Sequence, residues 1–379
     1  RTVIMGGLRR GGTAYYALDV TQPDYYDADA EPTITNGYVP SCSNGAGGCG
    51  PLDYPSQLWE FSDSVLLESP PREIAFDKDL DGIEDLASSW STPSLGLMKV
   101  CTAASCDPAD PAAPIEDRYV AIVGGGLDKT NSTGNWVYII DIETGKSIYK
   151  RQLVDSDGVT SGGSVPAETA AVDTDGDGYL DRVYVGTTRG FVYRIDLRGA
   201  DGEVPAIVDS VDWPLAGGLG VPDPVDVQRI TDNAFRPHLI FKAQPDSLTG
   251  GPASRAIYYR PTVIFSAALG QYVIAFGTGD RENLWSSDGV RGQFYLFKDD
   301  IDIGEFDTFY TEDDLVAIDS ETDDDTAQNL LTDPTLSTKG WNMLLRENER
   351  LITSPFAVSG VVVFTVFSPD VEIDLRELT

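Results

Sequence analysis

Short runs of β-branched and aromatic residues alternate along the chain with turns of Gly, Asp and Pro, and no amphipathic helical window exceeds about three turns. The pattern predicts an all-β chain. Its clearest strands are AYYALDV (14–20), QLWEF (57–61), RYVAIVGG (118–125), NWVYIIDI (135–142), DRVYVGTT (181–188), GFVYRIDL (190–197), QYVIAFGTG (271–279), GQFYLFKD (292–299) and SGVVVFTVF (359–367). A two-strand grammar recurs: a strand ending in Gly, a loop, then an aromatic-rich strand ending in Asp. Asp141 and Asp196 stand 55 positions apart, and Asp196 and Asp299 stand 103 apart, close to twice that. A period near 50 residues with four strands per unit predicts a β-propeller of roughly seven blades, because such units cannot bury their faces alone and stack radially.

Residues 21–56 and 300–339 break the strand rhythm and read as insertions in a single domain covering 1–379. The second insertion carries the charge run Asp323 to Asp325 and predicts a short helix near 325–331. The most apolar stretch, Ile352 to Phe367, holds Ser354, Pro355, Ser359 and Gly360 and reads as two strands round a turn rather than a membrane span. The chain opens at Arg1 straight into strand-like sequence, which suggests a piece of a longer polypeptide whose targeting signals lie elsewhere.

Charge narrows the function classes. Asp+Glu is 61 against Lys+Arg 27, a net charge of -34. Such a field repels phosphate backbones and anionic lipid, so binding of nucleic acid or membrane surface through basic patches is excluded as the main activity. Cations are favoured instead. Asp outnumbers Glu by 44 to 17, and Asp is the carboxylate of turns and calcium loops.

The strongest chemical signal is AVDTDGDGYLDRVYVG, with Asp173, Asp175, Asp177, Gly178 and Asp181. Carboxylates at positions 1, 3 and 5 converge on one cation because Gly at 6 turns the chain sharply. Tyr179 at position 7 offers its backbone carbonyl, and Asp181 at 9 closes the shell. Position 12 is Tyr184, not the bidentate Glu of an EF-hand, so the loop lies between strands. Hard oxygen ligands select Ca2+ over zinc or copper. The same spacing recurs at Asp77, Asp79, Asp81, Ile83 and Asp85 in AFDKDLDGIEDLASSW, a second candidate calcium loop. The DSDG stretch at 155–158 lacks partner carboxylates and reads as a turn.

Four cysteines fall into two close pairs, Cys42 with Cys49 and Cys101 with Cys106, which predicts two local disulfides in an oxidising compartment. The rival is a zinc site drawn from all four thiolates, for which the C-x6-C spacing is too wide. Catalytic constellations are absent from the sequence. The single His238 lies among apolar neighbours, no nucleophile, Walker or dinucleotide motif occurs, and GGLRRGG at 6–12 precedes a strand and has no Lys-Ser end. The chain is expected not to be an enzyme.

Two resemblances follow from these residues. YIIDIETGKSIY (138–149) resembles the blade repeat of pyrroloquinoline-quinone dehydrogenases, with Tyr149 where that repeat prefers Trp. More extensively, GGLRRGGTAYYALDVTQPD, LASSWSTPSLG, YVAIVGGGLD with GNWVYIIDIETGK, AAVDTDGDGYLDRVYVGTTRGFVYRIDL and QYVIAFGTGDREN resemble, in order, the C-terminal β-propeller of the PilY family, the tip-associated adhesins of type IV pili. The resemblance implies a seven-bladed modified propeller, a calcium loop at Asp173 to Asp181, and an extracellular place at the pilus tip. It also implies work in assembly, retraction control, twitching motility and surface adhesion, with minor pilins and a surface receptor as partners. The chain departs from the family in its extra loop at Asp77 to Asp85 and in lacking an Arg-Gly-Asp tripeptide. An integrin-like FG-GAP propeller stapled by calcium is the alternative; a quinone-dependent dehydrogenase would need a vicinal Cys-Cys pair that is missing.

Overall fold

The computed structural model describes residues 2–20, 56–62, 85–102, 106–107, 109–145, 147–156, 158, 160–198, 204, 235–243, 255–285, 291–301, 308–319, 326–327, 329–330, 338–358 and 361–369. Within them the chain forms a succession of mainly antiparallel sheets. The first is β1 (Val3–Gly7), β2 (Ala14–Asp19) and β3 (Ser56–Ser62), paired in chain order. The second is β4 (Ser94–Cys101), β5 (Ile115–Gly124), β6 (Trp136–Asp141) and β7 (Ser147–Gln152). The third pairs β8 (Ala170–Val172), β9 (Arg182–Gly186), β10 (Phe191–Asp196) and β11 (His238–Lys242). The fourth pairs β12 (Thr262–Ser266), β13 (Gln271–Gly277) and β14 (Gln293–Lys298).

Later segments extend these sheets. β15 (Tyr310–Thr311) adds to β11 as a parallel fifth strand, and β16 (Val316–Ile318) runs parallel to β17 (Gly340–Leu344), which completes the fourth sheet beside β14. The segment read as an insertion at 300–339 therefore supplies edge strands to two neighbouring sheets; residues 326–327 and 329–330 within it are helical. Two small pairs follow: β18 (Arg350–Leu351) with β21 (Val366–Phe367), and β19 (Phe356–Val358) with β20 (Val361–Val363). The run 359–367, expected as one strand, is thus split between two partners. Phe364 leaves the strand between them and stacks on Phe294, with ring centroids 4.2 Å apart.

The core is a series of layers between successive sheets. Tyr15 and Phe61 of the first sheet meet Val123, Tyr138 and Ile140 of the second. Val120, Ile122 and Ile139 meet Val183, Val185 and Tyr193 of the third. Tyr184, Ile240 and Phe241 meet Ile274, Phe276 and Tyr295 of the fourth. Val273 and Phe294 then meet Leu351, Val362 and Phe364. Because each inner sheet is covered on both faces, its strands carry unbroken apolar runs instead of alternation: every residue of β14 is buried, and all but the first of β6. First strands touch in succession, β4 with β8, β8 with β12 and β12 with β19.

One contact recurs at these joints. Gly7, Gly124, Gly186 and Gly277 each end a strand, and a Cβ there would lie 2.2 Å from the Ser89 carbonyl oxygen, 2.2 Å from Val165, 2.5 Å from Ile257 and 2.5 Å from Leu351 respectively. Each of those four neighbours stands five positions before the next unit's first strand, at Ser94, Ala170, Thr262 and Phe356. Backbone hydrogen bonds stitch the same places: Thr187 accepts from Ile257 N at 3.0 Å, Ala256 from Gly279 N at 3.0 Å and Thr278 from Leu351 N at 3.3 Å. The Gly-ending strand in the sequence grammar is therefore a joint.

The described sheets also change the period. Asp141, Asp196 and Asp299 end or follow the third strands of consecutive sheets, and no described sheet lies between the third and fourth. Among the described residues, the 103-residue interval separates the third strands of two neighbouring sheets.

Gly124→Ala is expected to destabilise the chain by about 2–3 kcal/mol, because its new methyl meets both a side chain and a backbone oxygen of residue 165. Gly158→Ala, with φ of 71° but open space around it, is expected to lose only about 1 kcal/mol of stability, through backbone strain alone. Urea unfolding of both variants tests this; equal losses would refute the joint.

Candidate metal centre

The loop of residues 173–181 connects β8 to β9, and its aspartates fold it. Asp173 accepts hydrogen bonds from Gly176 N at 2.7 Å and Gly178 N at 2.8 Å. Asp175 accepts from Asp177 N at 3.1 Å, and Asp177 from Tyr179 N at 2.9 Å. Short carboxylate side chains mimic backbone turns in this way. The consequence is convergence: oxygens of Asp173, Asp175 and Asp177 lie within 4.8 Å of one another, a cluster that could hold a metal ion.

Asp181 has a different place. It is 6% exposed, and its Oδ2 accepts from both the backbone N and the Oγ1 of Thr174 at 2.7 Å, so it ties the start of the loop to its end. The Tyr179 side chain anchors outward, its hydroxyl donating to Asp117 Oδ2 at 2.9 Å beneath the Lys99 ammonium, 4.1 Å from the ring. Leu180 N donates to the Leu97 carbonyl at 2.8 Å, and Tyr272 donates its hydroxyl to the Thr174 carbonyl at 3.1 Å. The loop is therefore held by its own sheet and by both neighbours.

Arg198 is a residue that sequence reasoning missed. Its Nη1, Nη2 and Nε approach Asp175 Oδ2, Asp177 Oδ2 and Asp181 Oδ1 at 3.1, 2.6 and 2.9 Å. The signal was present in the hairpin: Asp196 pairs with Arg182 across β9 and β10, which brings residue 198 back beside the loop. Hydrogen bonds, first from the Gly178 backbone, hold the Asp173 carboxyl below the usual carboxylate range, and Arg198 first of all does the same for Asp177. Both stay ionised at neutral pH.

Of the second candidate loop, Asp77, Asp79, Asp81 and Ile83 lie outside the described residues. Asp85 is described and buried, and its Oδ2 stands 2.7 Å from the buried Lys150 ammonium, which in turn lies 4.5 Å from the Trp136 ring. Its carboxylate already has a cation. Cys101 and Cys106 are joined, with Cα atoms 5.8 Å apart, whereas Cys42 and Cys49 lie outside the described residues. His238 is buried on β11. The DSDG stretch is a turn in which Gly158 N donates to the Asp155 carbonyl at 2.8 Å, with Asp155 ion-paired to Lys242. GGLRRGG forms the end of β1 and the bend into β2.

No family model matches the sequence. Among curated proteins, it is 24% identical over 240 residues to the type IV pilus biogenesis factor PilY1 homolog of Xylella fastidiosa, covering 60% of this chain and 12% of that protein. It is 24% identical over 285 residues to the type IV pilus biogenesis factor PilY1 of Pseudomonas aeruginosa, covering 73% of this chain and 17% of that protein. In structure it is similar to the crystal structure of the Pseudomonas aeruginosa PilY1 C-terminal domain, with a TM-score of 0.57 at 21% identity over 97% of this chain and 65% of that one. The chain is PilY1-like in sequence and in fold, and spans less than a fifth of the curated relatives it matches.

Asp85→Asn is expected to cost about 3 kcal/mol, because it strands a buried ammonium. The loss should be equal with calcium and with chelator. A loss seen only in calcium, by denaturant titration, would make Asp85 a metal ligand first.

Proposed function

We propose that this PilY1-like chain is the calcium-binding C-terminal β-propeller of a type IV pilus tip protein, of about seven blades, acting in pilus assembly, retraction control and surface adhesion. In this reading it is a single domain of a longer exported polypeptide, works outside the cell, contacts minor pilins and a surface receptor, and is not an enzyme. The Cys101–Cys106 bond suits an oxidising compartment. The similarity to PilY1 supports the pilus system.

The observation that carries the calcium part is the folding of Asp173, Asp175 and Asp177 around one point. Three like charges so close repel unless a cation neutralises them, and Ca2+ takes oxygen ligands in flexible geometry. Arg198 supplies a partial answer from within the chain. A guanidinium presents directional N–H groups and leaves the carboxylates hydrogen-bonded singly, whereas a divalent ion draws all three oxygens inward. Binding of Ca2+ therefore displaces Arg198 from Asp175 and Asp177, and the loop exchanges one counter-ion for another. Because the loop is tied to Leu97, Asp117 and Tyr272 on neighbouring sheets, that exchange reaches beyond its own sheet.

Calorimetric titration is expected to give a dissociation constant between roughly micromolar and millimolar, abolished at this loop by Asp177→Ala. Arg198→Gln should tighten binding about three- to tenfold, since it removes a competing cation; weaker binding would show that Arg198 helps to build the site. The two depressed carboxyls predict that affinity is flat from neutral pH down to about 5 and is lost as pH falls below the ordinary carboxylate range near 4, where protons replace the ion.

In the host organism, an Asp177→Ala strain with normal protein level and fold is expected to change surface pilus number and twitching, while Asp177→Glu retains them. Unchanged piliation and motility alongside lost calcium binding would leave the ion structural only.

A further inference from the structure

A cavity of about 310 Å³ lies at the opposite end of the strands from the aspartate loop. It is built from equivalent pieces of three sheets. Asp128 and Lys129 follow β5, Thr188 follows β9, and Thr278 to Glu282 follow β13; Arg255 leads toward β12, Arg291 leads into β14, and Arg350 lies on β18. The loops that come after the strand-ending glycines, GGGLDK, GTTRG and GTGDR, thus share one end of the stack and meet there. Thr188 on the turn from β9 to β10 and Arg350 on β18 are fixed by packed strands before any ligand arrives.

The charge of the walls runs against the rest of the chain. Four cations, Lys129, Arg255, Arg291 and Arg350, meet three carboxylates, in a chain whose net charge is -34. The carboxylates are already committed. Asp128 accepts from Thr130 N, Thr130 Oγ1, Ser132 N, Ser132 Oγ and Thr133 N at 2.7–3.1 Å. Glu282 stands 2.6 Å from Arg10 and 2.8 Å from Lys129, and Asp280 accepts from Glu282 N at 2.8 Å. Two of the guanidinium groups have more donors than partners among the described residues. Arg255, 4% exposed, donates through Nη1 to Tyr295 Oη at 2.8 Å and to Glu312, while its Nε and Nη2 have no hydrogen-bond partner among the described residues. Arg291 donates through Nε to the Leu345 carbonyl at 2.8 Å, and neither of its Nη groups has a partner among the described residues. These N–H groups are open to an acceptor placed in the cavity.

We propose that this cavity binds a hydroxylated monoanion of monosaccharide size, an acidic sugar of the hexuronate class. The planar fork of an arginine matches a carboxylate in two parallel hydrogen bonds, which accounts for Arg255 and Arg291. A dianion such as phosphate would face three carboxylates in the cavity wall, whereas sugar hydroxyls use the remaining lone pairs of Asp280 and Glu282 as acceptors. The volume accommodates one sugar ring and little more. The cavity shares no residue with the aspartate loop, so the proposal stands apart from calcium.

The test uses the full chain and ligand titration by calorimetry, with galacturonate, galactose and inorganic phosphate as separate probes, in calcium and in chelator. Galacturonate is expected to bind at about 1 mM or tighter, galactose at least tenfold more weakly, and phosphate more weakly than galacturonate, with calcium making no difference. Arg291→Gln should weaken galacturonate binding at least tenfold, and Arg291→Lys should recover part of it. Because Arg291 is half-buried rather than core, its variants should keep the wild-type unfolding curve, which is measured alongside. Absence of galacturonate binding at 20-fold above that concentration, equal affinity for galactose, tighter binding of phosphate, or an unchanged Arg291→Gln variant would each overturn the assignment.

Discussion

The sheets hold together through one kind of close approach, in which a strand ends in a residue with no side chain and the chain entering the next sheet presses against its backbone. At Gly124 the space for a Cβ is already taken by Val165, and at Gly186 by Ile257. Everything else about the layering follows from that distance. Two twisted sheets can share an apolar layer along their whole faces only if their ends approach as closely as their middles. The aromatic residues then fill the wider parts, as where Phe241 stacks on Phe297 at 4.9 Å and meets Tyr295 edge-on at 5.1 Å.

A chain with so many carboxylates must also place its few cations well. The clearest instance is Asp299, whose side chain is fully buried between the third and fourth sheets, 2.6 Å from Arg194 and 3.3 Å from Arg182, with the Tyr184 hydroxyl donating to it at 2.5 Å. Burial first, and the Asp299 charge beside it, push the Tyr184 hydroxyl far above its ordinary pKa, so it remains a donor. Lys150 with Asp85, and Arg255 with Glu312, repeat the arrangement at other joints. Buried pairs of this kind add little net stability, but removing either partner is expensive, so they fix which sheet sits against which.

Much of this was legible in the sequence because the determinants are local. Strands 14–20, 118–125, 135–142 and 190–197 announce themselves by apolar runs between Gly and Asp, and the structure places β2, β5, β6 and β10 there. The turn at ETG in 143–145 was readable for the same reason, Asp141 accepting from Glu143 N and Thr144 N. The Asp173 loop was readable from spacing, since each carboxylate bonds only a few positions along. What escaped depends on partners distant in sequence. β15 and β16 are two and three residues long and exist only because β11 and β17 offer open edges. The Asp85–Lys150 pair joins positions 65 apart, so a spacing that suggests a metal ligand gave no sign of the ammonium. The cavity draws on residues from 128 to 350, and only the repeated glycine-ended loops hinted that they meet.

The connections that follow the Asp-ended strands differ greatly in length. β6 reaches β7 through residues 142–146, whereas β2 reaches β3 through 20–55, β10 reaches β11 through 197–237 and β14 reaches β17 through 299–339. All leave from the Asp-ended side of the stack. Closing a loop of doubled length costs only about 0.6 kcal/mol, so that side accepts added sequence almost freely. The glycine-ended side is constrained at the joints themselves, where Gly7, Gly124, Gly186 and Gly277 leave no room for a side chain. The architecture thus separates connections open to lengthening and diversification from joints whose geometry is set by sterics, and new recognition surfaces can grow on the first without disturbing the second.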